Sequence, residues 1–312
     1  ANALVSLGVG PGDRVAAQVE KSVEAIILYL ATVRAGAVFL PLNTGYTPTE
    51  IDYFVGDARP RVFVCDPARA EVLAPVAEKA GAVLVTLGAD GKGTLADAAD
   101  AASPDFATVP RQADDLAALL YTSGTTGRSK GAMLTHGNLV SNTRALQQAW
   151  RYSADDVLIH ALPIFHTHGL FVATNCVLLN GSGMLFLPRF DLDRVVELLP
   201  RATVFMGVPT FYTRLLSDPR MTPDLCRSMR LFISGSAPLL ADTHREFQER
   251  TGHPILERYG MTETCMITSN PYDGDRIAGA VGMALPGITV RITDRETGAP
   301  VAPGEIGLIE VK

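Results

Sequence analysis

"YTSGTTGRSKG", residues 121–131, sets six consecutive Ser, Thr and Gly residues ahead of a lysine, Lys130, and a third glycine. Glycines let a backbone come close to a ligand, hydroxyls and N–H groups donate to oxyanions, and a lysine adds a point charge. The stretch therefore reads as a phosphate cradle between an apolar strand, "LAALL", and a short "AML" strand. It is not a Walker loop, which needs Gly, four residues and then Gly-Lys-Ser/Thr running straight into a helix. Here two residues separate Gly124 from Gly127, and Lys130 leads through Gly131 into a strand. Thr135 then offers an N-cap to a helix from about His136 towards Trp150. Taken alone, the loop fits a Ser/Gly surface turn as well.

On either side of the loop, strand and helix signals alternate. "KSVEAIILYLATVRAG" has helical periodicity and stops at Gly36, "AVFLPLN" and "RVFVCD" read as strands, and Thr47 or Thr49 caps a helix over "TPTEIDYFVGDARP". Further strands are expected at "DVLIHALP", "GMLFLP", "ATVFMGVP" and "RLFISGS", with helices at "GLFVATNCVLLN", "LDRVVELLP", "TFYTRLLSD" and "ADTHREFQERTG". That rhythm implies an α/β fold with mostly parallel sheets covered by helices. Residues 88–113, rich in Gly, Ala, Asp and Pro, read as a surface excursion. From about residue 280 polar and apolar residues alternate around Gly and Pro turns, the pattern of antiparallel strands or a small barrel. The expected divisions are 1–113, 114–280 and 281–312.

Composition narrows the function classes. The 312 residues are 47% hydrophobic and 19% charged, enough for a large core, and the net charge of −6 with no basic run argues against a nucleic-acid surface. Cys65, Cys176, Cys226 and Cys265 lie far apart with no Cys-x-x-Cys pair, so buried reduced thiols in a cytoplasmic protein are expected. The most apolar stretch, residues 25–33, is about half the ~20 residues that span a bilayer, so no membrane partner is expected.

A second stretch, "LERYGMTETCM" at 256–266, sets an aromatic, a glycine, hydroxyls and a carboxylate in consecutive positions. Tyr259 can stack on a base, Thr262 can donate to a phosphate, and Glu263 can hold Mg2+ through hard oxygen ligands. With "FISGSAPL" at 232–239 and "GEIGLIEVK" at 304–312, the two motifs resemble the adenylate-forming superfamily of acyl-CoA synthetases, luciferases and peptide-synthetase adenylation domains, over essentially the whole chain. The resemblance implies a two-step reaction, in which a carboxylate attacks the α-phosphorus of ATP and CoA thiolate then displaces AMP. It implies that Thr122, Ser123, Gly124, Thr125, Thr126, Gly127 and Lys130 embrace the β- and γ-phosphates. Glu257, Arg258, Tyr259, Gly260, Met261 and Thr262 would form the nucleotide wall, with Tyr259 on adenine, Thr262 at the α-phosphate and Glu263 on Mg2+. Gly235, Ser236 and Ala237 would line the adenine and acyl pocket. Ser129 departs from the family, which usually has proline before the lysine.

For the acid, "LPIFHTHGL" at 162–170 and "MGVPTFYTRLL" at 206–216 offer His166, His168 and Arg214, and the nucleotide motif adds Arg258. A cation deep in a pocket needs an anion to meet it, which suggests a substrate with a second carboxylate. The similarity is greatest to malonyl-CoA synthetases, which load malonate and sometimes methylmalonate. It implies that Arg214 and Arg258 hold the distal carboxylate and that His168, with Ser236, sits where acyl pocket and pantetheine tunnel meet. Arg214 also fits the exposed face of an amphipathic helix. The resemblance further implies that a mobile C-terminal domain with the adenylation lysine, and the first few dozen residues, are missing from this chain, which alone would be inactive. Two other readings stay open: a synthetase for another short or aryl acid, and a non-catalytic nucleotide-binding module.

Overall fold

The computed structural model describes residues 1–122 and 128–312, so Ser123, Gly124, Thr125, Thr126 and Gly127 lie outside the described residues. The chain divides into two compact units, Ala1–Val140 with Pro163–His166, and Ser141–Leu162 with Thr167–Lys312.

In the first unit, β1 (Arg14–Gln18), β2 (Val38–Pro41), β3 (Val62–Cys65), β4 (Val83–Thr86), β5 (Leu116–Thr122) and β6 (Lys130–Thr135) form one sheet in the order β4-β3-β1-β2-β5-β6. Five strands run parallel, and only β6 is antiparallel to its neighbour β5. Every residue of β2 and β3 is buried, which is why these strands read as unbroken apolar runs rather than alternating ones. The helix Val23–Arg34 starts where the Ser22 side chain accepts from Ala25 N. Thr47, not Thr49, caps the helix Pro48–Ala58, and the capping box with Glu50 is complete. The boundary expected at 113 is wrong: β5 pairs with β2 and carries β6, so the sheet continues through residue 135. The excursion at 88–113 carries a short helix of its own, Thr94–Asp100, which buries Leu95.

In the second unit, β7 (Val157–His160), β8 (Gly183–Phe186), β9 (Val204–Gly207), β10 (Leu231–Ser234) and β11 (Leu256–Met261) are parallel, and β12 (Cys265–Ser269) and β13 (Met283–Ala284) close one edge antiparallel. The order is β13-β12-β11-β10-β9-β7-β8. Alternation sends Phe205, Phe232 and Ile255 to one core with Tyr212 and Phe247, and Met206, Ile233 and Leu256 to the other with Trp150 and Val172. A separate antiparallel ribbon, β14 (Val290–Thr293) with β15 (Leu308–Val311), accounts for the change of texture near residue 280. The division expected at 281 needs moving, because β13 belongs to the large sheet.

The helix expected over "GLFVATNCVLLN" begins as a π-helix, His168–Thr174, and tightens to an α-helix at Asn175–Asn180. Thr174 Oγ1 donates to the Gly169 carbonyl at 2.9 Å, and His160 Nε2 lies 2.8 Å from the same oxygen. Side chains thus satisfy a carbonyl in a stretch of wide turns, which recur at functional sites. All four cysteines are free and buried. Among the described residues no helix is long and apolar enough to cross a membrane.

Candidate active site

In the second unit β8 and β9 flank β7 on opposite sides, so the strand order reverses between β7 and β9. Ligands of open α/β sheets sit beyond the carboxyl ends of strands at such a switch point. The candidate residues lie at the carboxyl ends of these parallel strands: His168 after β7, Gly235 and Ser236 after β10, and Arg258 in β11.

Arg258 sits two residues after Leu256 on the same face of β11, and is 3% exposed. An ideal Cβ on Gly235 would lie 2.4 Å from Arg258 Cζ, so only glycine lets the backbone after β10 run against the guanidinium. Among the described residues, Nε and Nη2 of Arg258 have no hydrogen-bond partner. Burial lowers its pKa to about 10, the phenol of Tyr212 acting weakly in the other direction. A guanidinium with orphaned buried donors is a strong demand for an anion.

Glu257 faces the other way. Its carboxylate, 5% exposed, takes the Gly279 N–H at 3.0 Å and lies 3.0 Å from Nδ1 of His244, itself 1% exposed. Its carbonyl accepts from Asn270 N at 2.9 Å and Asn270 Nδ2 at 3.1 Å. The side chain expected in the nucleotide wall is thus committed to the interior, where it ties β11 to the helix Ala241–Thr251 and to the turn at Gly279. Sequence reasoning missed His244, which stands 13 residues away on another element.

Ser236 is exposed and has φ 71°, a left-handed conformation that costs a serine about 1–2 kcal/mol. Its Oγ lies 3.2 Å from His168 Nδ1, at the start of the π-helix. Strained backbone at a hydroxyl that meets a buried imidazole fits a site that over-determines its own geometry. Ala237 follows on the surface.

β11 and β12 form a hairpin with Met261 opposite Cys265, leaving Thr262, Glu263 and Thr264 at its tip. Cys265 has φ 54°, the left-handed residue that three-residue hairpin loops require. Gly260 follows a register shift and packs so closely that a Cβ would fall 2.2 Å from the Cys265 carbonyl. Glu263 therefore reaches solvent while Tyr259 and Thr262 stay half-buried. Asn142 braces β12, donating from Nδ2 to Met266 O at 2.8 Å and accepting from Met266 N at 3.3 Å.

Arg214 is exposed on the helix Pro209–Leu216, its guanidinium 4.6 Å above the Phe190 ring. His166 is exposed, edge-on to Phe165. In the first unit Thr122 pairs with Lys130 across the antiparallel strands β5 and β6.

A profile described as "AMP-binding enzyme" matches residues 1–312. The chain belongs to that family. It is 65% identical to ATP-bound MatB from Rhodopseudomonas palustris, with a TM-score of 0.98, covering 100% of this chain and 62% of that one. It is 35% identical over 298 residues to the malonate–CoA ligase ACSF3, mitochondrial, of Bos taurus, covering 90% of this chain and 50% of the relative. A feruloyl-CoA synthase of an Amycolatopsis species is also 35% identical, over 316 residues, covering 100% of this chain and 62% of the relative. The chain thus spans between half and about three fifths of these relatives' length.

Proposed function

We propose that this chain is the acid- and ATP-binding part of an AMP-forming acid–CoA ligase whose acid is a short dicarboxylate, malonate, with methylmalonate as its nearest alternative. The observation that carries the reading is the buried Arg258 guanidinium with orphaned donors. A malonate carries one carboxylate to react and a second to meet that cation, whereas acetate leaves it uncompensated.

In this reading an oxygen of the reacting carboxylate attacks the α-phosphorus of ATP, the bond to the bridging oxygen breaks, and pyrophosphate leaves. CoA thiolate then attacks the acyl carbon and AMP departs. Tyr259 takes the adenine, the Thr262 hydroxyl donates to the α-phosphate as charge grows on it, and no protein nucleophile is needed. His168, oriented through Ser236 Oγ, stands beside the reacting carboxyl. Mg2+ is expected at Glu263. A single carboxylate flanked by the Thr262 and Thr264 hydroxyls at a hairpin tip fits an ion that takes few protein oxygens and keeps phosphates and water as its other ligands. Its contribution is to neutralise the phosphates. The shares of Thr122, Lys130 and the residues between them rest on sequence alone, as does Arg214 as a second clamp on the distal carboxylate. Four free, buried cysteines favour a reducing, cytoplasmic setting.

A second reading, an aryl-acid ligase, is favoured by the likeness to the feruloyl-CoA synthase. Pyrophosphate release by the full-length protein, measured with malonate, methylmalonate, acetate and benzoate, separates the two. Malonate should lead, and Arg214→Ala should lower malonate turnover far more than ATP affinity. A lead for benzoate overturns the proposal.

A further inference from the structure

Both stems of the glycine-rich loop are tied to one helix, Pro48–Ala58. On the incoming stem Tyr121 Oη donates to Asp57 Oδ2 at 2.5 Å, and burial together with that carboxylate pushes the phenol well above its ordinary pKa. On the outgoing stem Tyr53 Oη donates to the Ser129 carbonyl at 2.7 Å, and the Arg128 guanidinium lies 5.4 Å over the Tyr53 ring. The Tyr53 and Tyr121 rings meet edge-on at 6.2 Å, and Phe54 packs on both. The helix itself is a fixed base, with a complete capping box at Thr47 and with Ile51, Phe54 and Val55 buried. The Ser129 carbonyl shares a peptide plane with Lys130 N, so whatever holds that oxygen sets the plane from which Lys130 departs.

We propose that Tyr53 is the positioning residue of the phosphate loop, orienting the Ser129–Lys130 peptide, and hence the Lys130 ammonium, before nucleotide arrives. This rests on the reading of the loop as the holder of the β- and γ-phosphates. A donor that fixes the Ser129–Lys130 peptide in one orientation removes ordering cost from the binding step. Arg128 is parked on the same ring.

The test is calorimetric titration of the full-length protein with Mg-ATP and, separately, AMP, which lacks the phosphates in question. Tyr53→Phe keeps the ring and removes only the donor. It should weaken Mg-ATP about fivefold, the worth of one neutral hydrogen bond, and leave AMP affinity within twofold and melting within about 2 °C. Tyr53→Leu, which also removes the platform under Arg128, should weaken Mg-ATP further. Wild-type Mg-ATP affinity in Tyr53→Phe, or an equal loss for ATP and AMP, overturns the proposal. Lys130→Met separates the two ideas. If it weakens Mg-ATP while Tyr53→Phe does not, only the positioning role falls. If neither matters, the reading of the loop falls with it.

Discussion

Arg258 and Gly235 are a single device at the residue scale. The glycine's missing Cβ makes room for a guanidinium that is buried at a cost and, among the described residues, has no ion-pair partner. Replacing such a cation by an apolar residue of similar size often stabilises a fold. Arg258→Met is therefore expected to melt at or above the wild-type temperature in a thermal scan without substrate, while malonate should raise the wild-type temperature and leave that of the variant unmoved. A melting point several degrees lower would mean that Arg258 holds the fold together. Gly235→Ala should displace the guanidinium and cost malonate binding without touching the arginine itself, since the added methyl meets Cζ, Nε and Nη1 together.

The two faces of strand β11 do different work. On one face Arg258 packs its guanidinium against the Gly235 backbone, where the acid is proposed to bind, and on the other Glu257 anchors the strand through His244 and Gly279. Glu257→Gln keeps an acceptor for both donors and should leave pyrophosphate release close to wild type. Glu257→Ala leaves the buried His244 imidazole and the Gly279 N–H without their carboxylate partner, at about 1–3 kcal/mol for the buried group, and should lower the melting point by several degrees and depress acid and ATP affinity together. Equal behaviour of the two variants would contradict the anchoring role. The geometry of the motif "ERYGMTET" was not legible in the sequence. Residues adjacent in a line read as one wall, whereas a strand sends neighbours to opposite faces, and the register shift at Gly260 re-aims the residues between it and the hairpin tip. The π-turns at His168 were equally hidden, since they depend on Gly169's partners at Thr174 and on the preceding strand.

On the scale of the whole molecule, the parallel α/β class and most of the longer helices followed from periodicity, because buried strands and capped helices are local features, whereas the helix Ala70–Ala80, with Pro75 inside it, was not read from the sequence. The boundary at 113 failed because sheet membership is not local: β2 and β5 are paired across an apparent composition break. One consequence for stability lies in Lys21, whose pKa burial lowers from the ordinary 10.5 to about 7. Between those values the unfolded chain binds more protons than the folded one, so stability should rise as pH climbs from 7 towards 10. Denaturant melts of wild type and Lys21→Met across that range should show the rise in the wild type and a flatter curve in the variant; parallel curves would refute the lowered pKa of Lys21. The central claim, that one buried arginine selects a dicarboxylate for adenylation, is tested most directly by malonate- against acetate-dependent pyrophosphate release in the full-length enzyme and in Arg258→Met. The wild type should favour malonate, and the variant should lose malonate efficiency by on the order of 100- to 1000-fold while its acetate efficiency changes little. An Arg258→Met enzyme that keeps its preference for malonate would contradict the account.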